Sequence, residues 1–434
     1  MKTNLPVEEY MGRLKALLPR FLKWEYTGLC LLVLIVLILH LATLMHPSAP
    51  IFDEQYYIPD ARSILQGSGS ERIEHPPLGK LIVAGGILIF GDNPFGWRIF
   101  SVLFGLACIV FFYLICRQLK LSPRASFLAT FLLALENLSF VQASVAMLDV
   151  YSLAFMLASF WLYLKGRHTL AGVSVGLAAL AKLTGALALP VIVLHWLFTS
   201  RQKPWRFLLS MLMAPAAFLL LMPMFDLTIW HRFVNPFSEL GAMWRASSLA
   251  TFAAYPSPML SRPWDWLLRP EILTYWVDPH YVGMISPDIW ILIIPIILYS
   301  VYKALKGSSA AVLALAWLSG TYLFWIAASL ISDRISYIFY FYPTIGAVCL
   351  GLGLWSERIF RGGAQNHWAK VTRLAIPLYL LIHLAAFVVL APVSYWWKLP
   401  GCVLLYILAR YELSVEPGNL GGQLPQPRVS PAAA

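Results

Sequence analysis

Apolar runs of about twenty residues recur along most of this chain, separated by short basic connectors. A run of that length crosses the roughly 30 Å of a bilayer's hydrocarbon core as a helix, where only helices and closed barrels satisfy their own backbone. With 434 residues, 59% hydrophobic and 12% charged, the chain has more apolar surface than one soluble core can bury. An all-α polytopic membrane protein is expected. Runs near 28–45, 97–116, 125–143, 149–165, 169–181, 185–199, 206–225, 289–304, 310–330, 335–355 and 373–391 read as spans, and 399–409 as a candidate twelfth. Residues 1–410 are then one integral-membrane domain. The segment 411–434, rich in Pro, Gly and Ala, reads as a disordered tail without assigned function.

The net charge of +11 does not point to nucleic acid, because the Lys and Arg residues sit between spans, where they set topology. Arg117, Lys120 and Arg124 form one such connector, residues 165–168 a second, 201–206 a third, Lys303 and Lys306 a fourth, and 358–373 a fifth. Lys2, Arg13, Lys15, Arg20 and Lys23 precede the first run, which reads as an uncleaved signal anchor in the plasma membrane with a cytoplasmic N-terminus. If the connectors are cytoplasmic, Asp149 and Lys182 both fall at the outer level. Two outer segments, 46–96 and 226–288, are long and aromatic, which suits short helices lying in the interface. Cys30, Cys108, Cys116, Cys349 and Cys402 lie in or beside apolar runs without CxxC spacing, so neither a disulfide framework nor a zinc site is indicated.

The first outer segment concentrates charge: Asp53-Glu54, Asp60, Arg62, Glu71, Arg72, Glu74-His75, Lys80, Asp92 and Arg98. Ionisable groups at a bilayer boundary are costly unless they face protein, water or a charged ligand, so the cluster is a candidate site. Asp53, flanked by Phe52 and Tyr56-Tyr57, suits a general base; a helix cap is the plainer reading. Pro76-Pro77 starts a short helix that puts Lys80 in its first turn, an arrangement that suits phosphate and is also plain architecture. Arg98 and Arg334, at the ends of runs, either bind phosphate or snorkel to the interface. Glu74 and His75 are two candidate cation ligands, too few for a good site, so no metal or other cofactor is assigned. Cations, a base and aromatic belts on one face suit an anionic, amphipathic, lipid-anchored substrate such as a sugar on a polyprenyl phosphate.

The run Phe52-Asp53-Glu54, then Glu74-His75-Pro76-Pro77-Leu78-Gly79-Lys80, then Trp97-Arg98 with Leu103-Phe104-Gly105, resembles the N-terminal half of the protein O-mannosyltransferases. These are lipid-carrier-dependent glycosyltransferases of the GT-C fold. Met147-Leu148-Asp149 and Ala181-Lys182-Leu183-Thr184-Gly185 are similar to further motifs of that class, as are Ser261-Arg262-Pro263-Trp264-Asp265-Trp266 with Arg269-Pro270, and Arg334 with Tyr340-Phe341-Tyr342-Pro343. The resemblance implies an inverting glycosyltransferase of about 11–12 spans, moving mannose first of all from a polyprenyl-phosphate donor to a Ser or Thr of an exported protein. It implies Asp53 as the base; Glu54, Glu74, His75 and Asp149 around the acceptor and donor cavity; Lys80, Arg98, Lys182 and Arg334 at the carrier phosphate; and Arg262, Trp264 and Arg269 in the second outer loop. That loop is too short for the luminal MIR domain of the eukaryotic enzymes. The aminoarabinose transferases of lipid A share the fold and carry an acidic-Lys-Pro-Pro motif, so Glu74 before His75-Pro76-Pro77 keeps a lipid or cell-wall glycan acceptor open. A lipid-linked-sugar flippase would need similar cations, but no internal repeat is visible.

Overall fold

The computed structural model describes residues 24–200, 204–254, 257–277, 280–361 and 367–393. The basic stretch before residue 24, the 399–409 run and the tail lie outside these residues, as do parts of the connectors at 201–206 and 358–373.

The first half of the described chain is a series of helices: α1 (Trp24–Thr43), α2 (Glu54–Leu65), α3 (Pro77–Phe90), α4 (Pro94–Gln118), α5 (Pro123–Ala134), α6 (Asn137–Ser144), α7 (Leu148–Leu164) and α8 (His168–Ala181). A 3-10 turn at Leu183–Leu187 leads into α9 (Ala188–Thr199), followed by α10 (Pro204–Met211), α11 (Met213–Trp230), α12 (Pro236–Ser248) and α13 (Asp265–Leu268). Strands β1 (Leu273–Trp276) and β2 (Tyr281–Gly283) then pair antiparallel, with Leu273 opposite Gly283 and Thr274 opposite Val282. The chain continues through α14 (Pro287–Trp290), α15 (Ile293–Leu305), α16 (Ser309–Leu318), a π turn at Ser319–Leu323, α17 (Phe324–Ser332), a 3-10 turn at Ile338–Phe341, α18 (Tyr342–Arg361) and α19 (His367–Leu390).

Each expected span within the described residues meets a helix or a helix pair. Tyr26–Thr43, Pro94–Gln118, Pro204–Trp230, Ser309–Ser332 and Ile338–Phe360 are each long and apolar enough to cross a membrane, and α5 with α6 makes a sixth crossing only if their 60° bend is counted as one span. The other runs form apolar helices of 10 to 17 residues. Polar residues inside the runs account for two breaks. The Glu136 carboxylate accepts hydrogen bonds from Ser139 N at 2.7 Å and Ser286 N at 2.9 Å, so it caps α6 and ties down the entry to α14. Lys182 has extended backbone between α8 and the 3-10 turn, where its ammonium turns to Asp149. The second outer loop is also less helical than expected: only α12 lies there as an amphipathic helix, with Phe237 and Trp244 exposed, and the hairpin is an addition.

The site's scaffold is set at the start of α3. Pro76 is extended and Pro77 opens the helix, as the sequence leads one to expect. Gly79 lets this turn touch the chain just before Lys182: a Cβ there would stand 2.5 Å from the Ala181 carbonyl oxygen and 3.0 Å from Leu148 Cδ2. A backbone carbonyl cannot give way as a flexible side chain can. Gly79→Ala is therefore expected to destabilise by about 1–3 kcal/mol, seen as a lowered thermal midpoint in detergent. Gly85→Ala, whose added carbon would meet only Phe100 at 3.9 Å, is the control expected to keep the midpoint or raise it slightly.

Candidate active site

Asp53 stands at the N-terminus of α2 and makes no capping hydrogen bond with its side chain, so the helix-cap reading fails. The residue before it, Phe52, has φ +47°, a left-handed conformation that is costly for a bulky side chain. The Phe52 ring is held there against Tyr275 at 4.7 Å, Phe339 at 5.8 Å and Tyr337 at 6.1 Å. These partners come from β1 and from the segment between α17 and α18. The strained turn thus fixes where the Asp53 carboxylate points.

Burial pushes the Asp53 carboxyl up to about 6; the charges of Lys182 and Arg72 and a hydrogen bond from Tyr57 oppose that rise, and Asp149 adds to it. Burial also holds His75 well below the ordinary imidazole range, with Lys182, Lys80, Arg334 and Arg72 acting in the same direction, so His75 is neutral at pH 7. Tyr57 links the two. Its hydroxyl donates to Asp53 Oδ2 over a long 3.5 Å and lies 3.2 Å from His75 Nε2. With its one proton directed to Asp53, the hydroxyl oxygen accepts from His75 Nε2–H. Tyr57 was not picked out from sequence; its spacing from Asp53, one helical turn, is the signal that could have found it.

Lys182 Nζ donates to both Asp149 oxygens at 2.8 Å, and both side chains are nearly buried. Its ammonium lies 5.3 Å from the Phe339 ring and 5.5 Å from the Tyr340 ring. Arg334 donates to the Ser247 carbonyl and pairs with Thr251 in an antiparallel bridge, which brings the second outer loop to the same place. Asp53, His75, Asp149, Lys182 and Arg334 lie within electrostatic reach of one another, with Glu74 at 3.9 Å from Arg72 Nη1. No group of three or more His, Cys, Asp or Glu side chains among the described residues converges on a cation position, so Glu74 and His75 gain no third such ligand.

Three expected site residues are placed elsewhere. Arg98 is wholly buried, and its five N–H donors are all engaged: two on Glu54 at 2.8 Å, the others on the carbonyls of Leu44, Pro47 and Ala49. All of its donors are thus taken up within the protein, at a distance from the interface to which a snorkelling side chain would reach. Glu54, also wholly buried, accepts further from Ile51 N and Ala146 N. Lys80 is buried and donates to Ser70 Oγ at 2.9 Å and the Arg72 carbonyl at 3.1 Å, so it braces the loop before α3. In the second loop, Arg262 clamps Asp333 at 2.6 Å and Ser329 at 2.9 Å, with the Phe252 and Trp264 rings 3.7 and 5.8 Å away. Arg269 is exposed and paired with Glu271 and Asp265. Arg262 and Trp264 thus hold the loop onto α17.

The chain is similar to known protein mannosyltransferases and, more distantly, to arabinosyl transferases. A family described as dolichyl-phosphate-mannose-protein mannosyltransferase matches residues 73–235. A polyprenol-phosphate-mannose–protein mannosyltransferase of Mycobacterium tuberculosis is 37% identical over 33% of this chain, a match that spans only 29% of that relative's length. The protein of the same description from Corynebacterium glutamicum is 24% identical over 93% of this chain and 98% of its own. An undecaprenyl phosphate-alpha-4-amino-4-deoxy-L-arabinose arabinosyl transferase of Pseudomonas aeruginosa is 27% identical over 63% of this chain and 55% of its own. The solved S. cerevisiae protein O-mannosyltransferase Pmt1–Pmt2 complex superposes with a TM-score of 0.72 at 11% identity, over 86% of this chain and 90% of that one. The resemblance read from the motifs holds, and the fold is that of the GT-C membrane glycosyltransferases.

Proposed function

We propose that this chain is an inverting glycosyltransferase that moves mannose from a polyprenyl-phosphate carrier to a Ser or Thr hydroxyl of an exported protein, at the outer face of the membrane. The observation that carries this reading is Asp53: an uncapped carboxylate, raised by burial yet still ionised at pH 7, set among cations and aromatic rings. The relatives' descriptions supply the donor and acceptor classes. The basic connectors, taken as cytoplasmic, supply the side.

In the proposed step an Asp53 oxygen takes the proton of the acceptor hydroxyl, and the hydroxyl oxygen forms its bond to the sugar's anomeric carbon. The bond from that carbon to the phosphate oxygen breaks, and its electron pair leaves with the polyprenyl phosphate. A single displacement inverts the configuration. A phosphate departs as a stable anion and needs positive charge more than a general acid, which Lys182 and Arg334 supply. Tyr57 and His75 orient the base. The arabinosyl transferase relative supports a second reading, in which the same chemistry acts on a lipid or glycan acceptor.

The test is turnover of polyprenyl-phosphate mannose by the purified chain in lipid nanodiscs with a Ser/Thr-rich peptide. Mannosylated peptide and free polyprenyl phosphate are expected to appear in equal amounts. An unmodified peptide with no carrier release, followed by release matched by mannosylated lipid once a lipid acceptor is added, would favour the second reading. A flippase would release no free carrier at all.

A further inference from the structure

Among the cations that act on Asp53 and His75, Lys182 donates to Asp149, Lys80 to Ser70 and the Arg72 carbonyl, and Arg334 to the Ser247 carbonyl. The Arg72 side chain is different. Its Nε is buried without a hydrogen-bond partner, and the nearest carboxylate oxygen, on Glu74, is 3.9 Å from Nη1, beyond hydrogen-bonding distance. A buried guanidinium nitrogen without an acceptor is costly, so this side chain, paired only loosely with Glu74, keeps donor capacity for a further anion. The backbone around it is held from both sides: Asp60 accepts from Ser70 Oγ, Glu71 N and Arg72 N, while Lys80 binds the Arg72 carbonyl. The guanidinium lies 4.4 Å from the ring of Tyr56, the residue one turn after Asp53. Stacked on that ring, it keeps its planar fork oriented, the geometry that suits a bidentate phosphate contact.

We propose that Arg72 is a ligand of the carrier phosphate, in the role the motif reading gave to Arg98. The inference rests on the transferase reading and names the residue within it. Arg72 and Lys182 then approach the phosphate from the α2–α3 loop and the α8 turn.

The experiment measures equilibrium binding of three ligands to the full chain in nanodiscs: polyprenyl phosphate, polyprenol and inorganic phosphate. Arg72→Gln is expected to weaken polyprenyl phosphate roughly ten- to hundredfold and leave polyprenol unchanged. Arg72→Lys, which keeps the charge and loses the fork, should lie between and carries the test if the Gln variant does not fold. Equal loss of phosphate and polyprenol binding would reduce Arg72 to a packing role. Micromolar competition by inorganic phosphate would move the contact to a free anion and overturn the carrier assignment. Wild-type protein that binds no polyprenyl phosphate would sink the transferase reading itself, whereas wild-type binding retained in both variants would sink only Arg72.

Discussion

Asp53→Asn is expected to lower turnover at least about a hundredfold while thermal stability and donor binding stay near wild type. A positioned carboxylate that takes the acceptor's proton contributes about 10² to 10⁴ in rate, and the amide keeps the shape without the basicity. The wild-type pH profile adds a second readout. The Asp53 carboxyl is held near 6, mainly by burial, and the base works only when ionised. Activity should therefore fall as pH drops through about 6 and level off above about 7, and the residual activity of the Asn variant should lack that limb. A substantial turnover retained by Asp53→Asn, together with loss in Asp149→Asn, would transfer the base role to Asp149. Glu54→Gln, one position away, is expected to fail differently, through loss of folded protein.

The membrane class, the placement of the long helices and the charged stretch that holds Asp53 were legible in the sequence, because apolar run length and the Glu74-His75-Pro76-Pro77 signature are local properties. What the sequence hid depends on closure in three dimensions. Glu54 and Arg98 are 44 positions apart and meet face to face, while Arg72, on the same charged loop, keeps a buried nitrogen without an acceptor. A charge count cannot tell which arginine is satisfied. Nor could the apolar run at 125–143 reveal its 60° bend, since the Ser286 amide that Glu136 captures lies 150 positions away. The β1–β2 hairpin was hidden for the same reason: its tie to the chain after α1 is the Tyr281 hydroxyl donating to the His46 carbonyl across 235 positions.

Arg98→Ala is expected to abolish the accumulation of folded protein. Removing one partner of a buried ion pair leaves the other charged and unsatisfied, which typically costs about 3–5 kcal/mol, a large share of any domain's stability. The loss here extends beyond Glu54. The carbonyls of Leu44, Pro47 and Ala49 all accept from this guanidinium, so the chain between α1 and Asp53 loses its anchor and the strained Phe52 turn loses its support. Arg98→Lys should rescue little, because three ammonium donors cannot serve the five positions that the guanidinium serves. The double variant Glu54→Leu with Arg98→Met should accumulate better than either single one, as two apolar side chains leave no stranded charge. A folded Arg98→Ala protein with a normal thermal midpoint and weakened polyprenyl-phosphate binding would instead return Arg98 to the carrier phosphate.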